Sequence, residues 1–157
     1  MLFNIILLLH IAAAIVGFGG MFAHGAYTAK AFRLPAGEAK TVLNATQGAT
    51  KLAEYAIYAV MPLGIVLIAV SDGDFSMGAP WVSASFVVWF VMLGLHHALV
   101  RPSVKIFAAR AEALPADHTL SLDGEVEAAS RKMMIGEAVG QLMIVVALIL
   151  MVWKPGN

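Results

Sequence analysis

The residues whose chemistry most needs explaining are ionisable side chains that interrupt otherwise apolar stretches of this sequence. An ionisable group inside hydrocarbon is costly, so it usually pairs with another polar group or marks a functional site. Neutral imidazole is also a good axial ligand for haem iron. The candidate residues are His10, His24, His96, His97, Glu54 and Glu137, with Arg101 and Gln141 beside them.

These side chains fall in or beside four apolar runs, at about residues 2–27, 53–70, 81–100 and 133–153. A helix needs roughly 20 apolar residues to cross about 30 Å of hydrocarbon. The 157 residues are 61% hydrophobic and 13% charged, whereas soluble domains are about 45–50% apolar and about 25% charged. The sequence therefore predicts an all-α fold, a single integral membrane domain built as a four-helix transmembrane bundle.

Charge placement predicts the orientation of this bundle. Nine of the ten basic residues fall in the loops predicted at residues 28–52 and 101–132, and only Lys154 lies on the other side. Basic loops stay in the cytoplasm, so we expect both loops inside and both termini outside. This arrangement predicts a multi-pass protein of a bacterial inner membrane, with the lipid bilayer as its partner.

Composition excludes several other kinds of chemistry and partner. Ten basic and ten acidic residues cancel, so no net positive charge favours nucleic acid as a partner. The chain has no cysteine, which excludes disulfides, thiolate metal sites and a cysteine nucleophile. No metal is expected beyond a possible haem iron held by histidine.

Most of the ionisable groups are predicted to share one level, in the inner third of the membrane. A rise of about 1.5 Å per residue places His10 about 12 Å below the outer surface and His24 near the inner one. Helices two and four run in the opposite direction, so their first residues return to that inner level. The predicted inner cluster is His24, Glu54, His96, His97, Arg101 and Glu137, with Gln141 one turn beyond.

Three interpretations fit the inner cluster. In the first, it is a structural knot that pins the helices together through interhelical hydrogen bonds. In the second, one haem b lies between helices one and three, ligated by His24 and by His96 or His97 and oriented by nearby carboxylates. In the third, Glu54, Glu137 and the histidines relay a proton or an ion.

His10 lies apart from the inner cluster, four helical turns before His24 on the same face of helix one. A structural role within the bundle is favoured for it, and haem ligation is the alternative. Gly17, Gly19 and Gly20 follow on the same helix. Glycines there either let helices approach closely or leave room for a flat ring.

Two further features concern packing and the membrane surface. Gly136 and Gly140 form a small-xxx-small pattern in helix four, which permits close helix contacts and predicts a homo-oligomer as one outcome. Trp81 and Trp153 fall at the outer ends of their spans, where tryptophans form an interfacial belt.

Both ends of the sequence resemble a family of small bacterial membrane proteins. Residues 9–14 (LHIAAA), followed by residues 17–22 (GFGGMF), are similar to its LHxxAA...GG opening. Residues 150–155 (LMVWKP) resemble its LMVxKP close. This family is known only as uncharacterised predicted integral membrane proteins. The resemblance implies four transmembrane helices and a membrane location, without an activity.

The same opening is similar to CopD-type copper-resistance proteins and to HemJ-type protoporphyrinogen oxidases. In the HemJ type, a helix-one histidine and an intramembrane lysine matter for haem-linked activity, and His10 matches that histidine. His96 and His97 followed by Arg101 are similar to the helix-three pattern, while every lysine here lies at a membrane edge or outside. The resemblance implies a haem-dependent oxidoreductase as the alternative to a non-enzymatic membrane protein.

The predicted orientation can be tested with a reporter fused after Asn157. An alkaline phosphatase fusion should be active and a green fluorescent protein fusion dark, because the carboxyl terminus is expected outside. A fluorescent fusion with inactive phosphatase would place that end in the cytoplasm and contradict the charge argument.

Overall fold

A computed structural model describes residues 1–121 and 124–156 and confirms the all-α fold. The elements are α1 (Leu2–Ala31), α2 (Ala36–Ala69), α3 (Pro80–Leu95), a π-helical segment (His96–Val100), α4 (Arg101–Ala113) and α5 (Gly124–Trp153). The segment Pro80–Ala113 runs on as one helix. Within the described residues, four helices are therefore long and apolar enough to cross a membrane.

The helices extend beyond the apolar runs on the side of the basic loops. α2 begins at Ala36, within the predicted loop 28–52, and α5 begins at Gly124, within the predicted loop 101–132. α4 occupies much of that second loop as well. Hydropathy marks only the part of a helix that lipid covers, so it underestimates helices that continue into water.

The end of the bundle that carries the basic residues has a compact core. The rings of Phe32 and Phe107 stack with their centroids 3.8 Å apart. The backbone N–H of Ala36 donates to the carbonyl of His118 at 2.8 Å, which satisfies one of the free donors at the start of α2. These contacts hold the two basic segments against each other.

Pro102 explains the π-helical segment that ends just before it. Proline has no backbone N–H, and its ring clashes with the carbonyl four residues earlier. The backbone hydrogen bonding changes from the α-helical to the π-helical pattern here. The N–H of Arg101 donates to the carbonyl of His96, five residues back instead of four. Adjacent histidines on this segment differ in exposure, His96 being buried and His97 exposed.

α1 packs most extensively on α2, and α3 packs on α5. A Cβ added at Gly17 would lie 2.7 Å from Cγ1 of Ile57, and one at Gly20 would lie 2.5 Å from Cβ of Ala53. Both distances are shorter than real Cβ contacts, so these two glycines permit the close approach of α1 and α2. A Cβ at Gly19 would meet no described atom within 4 Å.

Gly136 also packs within the chain. A Cβ there would lie 2.9 Å from Cγ2 of Val100 and 3.2 Å from Cβ of Leu99. A Cβ at Gly140 would meet none of the described atoms within 4 Å. A homo-oligomer through both glycines would compete with the Gly136 contact, and it stays a prediction.

Gly17→Ala and Gly19→Ala form a matched pair that tests the packing of α1 on α2. Gly17→Ala should lower the free energy of unfolding by about 1–3 kcal/mol, because the added methyl overpacks the contact with Ile57. Gly19→Ala should be neutral or stabilising by up to about 1 kcal/mol, because alanine is the better helix former. Unfolding in mixed micelles, followed by circular dichroism, measures both, and equal effects would contradict this packing.

Candidate functional site

The structure divides the predicted inner cluster into three neighbouring groups. Each contains one histidine, and each joins residues from different helices. The groups are Glu54 with Tyr58, His97 and Arg101; His24 with Thr50; and His96 with Glu137 and Gln141. The first of these is called the Glu54 network below.

In the Glu54 network, one carboxylate oxygen accepts two hydrogen bonds. Oε1 of Glu54 accepts from the Tyr58 hydroxyl at 2.8 Å and from Nη1 of Arg101 at 3.2 Å. Nε2 of His97 lies 2.9 Å from the Tyr58 oxygen. Nδ1 of His97 lies 2.9 Å from the carbonyl oxygen of Leu93, so it carries a proton and donates it there. Both ring nitrogens of His97 are therefore engaged.

The Glu54 network ties α2 to the helix that follows Pro80. The side chain of Glu54 is 19% exposed, while those of His97 and Arg101 are 39% and 50% exposed. The network is thus sheltered at the carboxylate and open at its basic end, where an arginine can extend towards the membrane surface. Tyr58 was missed from the sequence, although its position four residues after Glu54 places both on one helical face.

His24 is buried and bonded to a threonine of α2. The hydroxyl of Thr50 donates to the carbonyl of Thr46 at 3.0 Å, so its oxygen accepts from Nδ1 of His24 at 3.1 Å. This arrangement places the proton of a neutral imidazole on Nδ1. Thr50 was not foreseen, because only the register of α1 against α2 brings it to His24.

His96 faces a small cavity within the bundle. Its Nδ1 is buried and has no hydrogen-bond partner among the residues described. Glu137 and Gln141 line the same cavity, whose volume is about 30 Å³. A Cβ added at Gly25 would collide with the carboxylate of Glu137, so this carboxylate lies directly against α1. The space suits roughly one water molecule, whereas small-molecule sites occupy roughly 300–1,000 Å³.

A much larger cavity lies at the opposite end of the bundle, away from the basic loops. Its volume is about 780 Å³, and all four long helices contribute to its wall. Gly19 faces this cavity, as does His10. The glycines of α1 thus divide between the two functions expected of them, since Gly17 and Gly20 pack on α2 while Gly19 borders open space. The wall is mainly apolar and includes Leu7, Phe18, Leu67, Phe86, Met92 and Met151.

Two residues on the cavity wall carry buried polar atoms with no hydrogen-bond partner in the described part of the chain, Nδ1 of His10 and Nε1 of Trp81. His10 is 9% exposed and Trp81 is 6% exposed. A buried polar atom left unpaired costs about 1–3 kcal/mol, so each of these atoms lacks a partner that its burial calls for. The imidazole fits against α2 at Gly64, where an added Cβ would lie 3.3 Å from its Cε1.

Lys154 borders the same cavity. Its Nζ lies 4.2 Å from the ring centroid of Phe75 and 5.9 Å from that of Trp81, within the range of cation–π attraction. Trp81 was expected in an interfacial belt, but it is buried, whereas Trp153 is 72% exposed. A cation and an unpaired indole N–H therefore lie near each other beside an apolar cavity.

The fold and this site define a multi-pass integral membrane protein with a cavity among its helices. A family model described as "Predicted integral membrane protein (DUF2269)" matches residues 4–155. The chain belongs to this family, which confirms the expectation drawn from its two ends. No curated protein and no solved structure matches the chain. The likeness to HemJ-type and CopD-type proteins stays a prediction.

Glu54→Ala tests the contribution of the Glu54 network to stability. The variant removes the acceptor that Tyr58 and Arg101 share and should lower the free energy of unfolding by about 1–2 kcal/mol. Glu112→Ala, at an exposed position of α4, is the matched control and should change it little. Unfolding in mixed micelles measures the free energy of unfolding of both variants. An unchanged value in Glu54→Ala would show that the network does not stabilise the fold.

Proposed function

We propose that this protein binds one haem b within the membrane, in the cavity of about 780 Å³, with His10 as an axial ligand. The observation that carries the proposal is a buried imidazole, with no hydrogen-bond partner at Nδ1 among the described residues, on the wall of a cavity of small-molecule size. In the orientation predicted from the charges, this cavity lies in the outer half of a bacterial inner membrane. The inner histidines, by contrast, border a space of only about 30 Å³.

The side chains around the cavity suit the chemistry of haem b. The macrocycle is flat and largely apolar, as are the walls, and histidine is a common axial ligand to its iron. Haem b also carries two carboxylates at one edge. The indole N–H of Trp81 and the ammonium of Lys154 offer a donor and a cation for them. Met92 and Met151 line the same cavity, and their thioethers would also suit haem iron as ligands.

A bound haem b supplies a centre that can gain or lose one electron. The protein's own part is to hold the group and to exclude water from it. The indole of Trp89 donates to the carbonyl of Ile57 at 3.0 Å, which joins α3 to α2 at the cavity wall. That bond supports the part of the cavity wall opposite α1. His10, which lies on α1, would hold the iron.

The inner groups take no part in holding the haem in this proposal. His97 uses both ring nitrogens, and Nδ1 of His24 is committed to Thr50. The Glu54 network joins α2 to the helix after Pro80, and the His24 bond joins α1 to α2. These are the interhelical hydrogen bonds expected of a polar knot.

A haem-dependent membrane oxidoreductase resembling the HemJ type is the second candidate. The observation that favours it is that His10, which matches the helix-one histidine of that type, borders the large cavity. Lys154 borders the same cavity, but from the membrane edge and not as an intramembrane lysine. Porphyrinogen oxidation by haem-loaded protein, lost in Lys154→Gln, would support an enzyme. Haem binding without such oxidation would leave a haem-binding protein.

His10→Ala tests the proposal, with His24→Ala and His96→Ala as controls at other buried histidines. Wild-type protein in detergent should take up one haem b per chain in an optical titration. His10→Ala should weaken this binding by about tenfold or more, because loss of a metal ligand or its support has effects of at least that size. Both controls should keep the Soret band.

Two outcomes would contradict the proposal. If His24→Ala or His96→Ala abolishes the band while His10→Ala keeps it, haem binds at the inner cluster instead. If the folded wild type takes up no haem, the cavity serves another ligand or none.

A further inference from the structure

We propose that the Glu54 network holds one extra proton at neutral pH and passes it between Glu54 and His97 through the Tyr58 hydroxyl. The ligand of this site is a proton, and its pathway consists of two hydrogen bonds, Glu54 to Tyr58 and Tyr58 to His97. The proposal does not depend on haem binding, because it concerns a different group of residues at the opposite end of the bundle.

Counting protons along the network leads to this inference. Nδ1 of His97 meets the Leu93 oxygen at 2.9 Å, Nε2 meets the Tyr58 oxygen at 2.9 Å, and Tyr58 meets Oε1 of Glu54 at 2.8 Å. Each of these three hydrogen bonds needs its own proton. A neutral imidazole supplies one and the phenol supplies one. An ionised Glu54 beside a neutral His97 therefore leaves one bond without a proton, and a third proton completes the chain.

The third proton has two positions. When it is on His97, the imidazolium donates at both nitrogens and the Tyr58 hydroxyl donates to the Glu54 carboxylate. When it is on Glu54, the carboxyl group donates to the Tyr58 oxygen, and the hydroxyl of Tyr58 donates to Nε2 of His97. Both arrangements form all three bonds with the same heavy-atom positions.

Transfer between these positions balances without another reactant. The O–H bond of Glu54 breaks as its proton passes to the Tyr58 oxygen, and the original O–H bond of Tyr58 breaks as that proton passes to Nε2 of His97. Tyr58 ends as a neutral phenol, Glu54 as a carboxylate and His97 as an imidazolium. No electron is gained or lost.

The two ends of the relay differ in charge and in exposure. Arg101 bonds to the same Glu54 oxygen, so a fixed positive charge lies at the Glu54 end. His97 is the more exposed end of the relay. The other titratable groups near the network are His24 on α1, Tyr55 on α2 and His96 on the π-helical segment, with Glu137 of α5 across the small cavity.

Spectroscopy of the full chain in lipid nanodiscs at pH 7 tests for the extra proton. ¹⁵N resonances of labelled histidine report the protons on His97, assigned by their loss in His97→Gln. Infrared bands of ¹³C-labelled glutamate, assigned with Glu54→Gln, report the protonation of Glu54. An imidazolium with an ionised Glu54, or a neutral imidazole with a protonated Glu54, supports the proposal. A neutral imidazole with an ionised Glu54 overturns it.

Tyr58→Phe tests the link between the two ends, with Tyr55→Phe as the matched control on the same helix. Tyr55 is 68% exposed, and its variant should keep the wild-type spectra. Tyr58→Phe keeps the aromatic ring but removes the bridging hydroxyl, so occupancy of the extra proton should fall by about tenfold or more. Wild-type spectra in Tyr58→Phe would show that the proton does not pass through this residue.

Discussion

The close approach of α1 and α2 at Gly17 and Gly20 is the contact on which the rest of the structure depends. Small residues let two membrane helices pack backbone to backbone, where no hydrophobic effect drives them together. α1 is thereby committed to α2, while α3 pairs with α5. The basic end is closed by the stacked rings of Phe32 and Phe107, and the cavity of about 780 Å³ is the space left between the pairs at the other end.

The two ends of the bundle treat their polar groups differently. At the basic end, Glu54, His97 and His24 have hydrogen-bond partners within the protein, while Nδ1 of His96 has none among the described residues. At the cavity, His10 and Trp81 remain unpaired within the described residues. Unpaired polar groups are expensive in a membrane, so the two unpaired atoms at the large cavity support a ligand there, whereas the space beside His96 suits roughly one water molecule.

The four helices were predictable from sequence because membrane crossing depends on the length and hydropathy of each run. Hydropathy alone does not indicate their full lengths, since α2 and α5 begin in polar sequence at Ala36 and Gly124. The amphipathic stretch from Glu38 and the acidic residues Glu125 and Glu127 predict these extensions. Pro102 lies in the first turn of α4, and the π-helical segment before it lies within a continuous helix, which no hydropathy pattern indicates.

The inner site was only partly predictable for a geometric reason. Position along a helix gives the depth of a residue, and the predicted inner level of Glu54, His97 and Arg101 agrees with their contact. The depth of a residue does not give the direction in which it points around the helix axis. The division of the cluster into three groups therefore becomes visible only in the packed structure, and so does the contact that Tyr58 makes. The same rotation places His10, Trp81 and Lys154 around one cavity.

The central claim is that the cavity beside His10 holds a ligand. Native mass spectrometry of the chain purified from its membrane tests this claim most directly. The account predicts a complex of one chain with one haem b, released on activation as a single species of that mass. A folded chain that carries no small molecule, or only phospholipid, would contradict it.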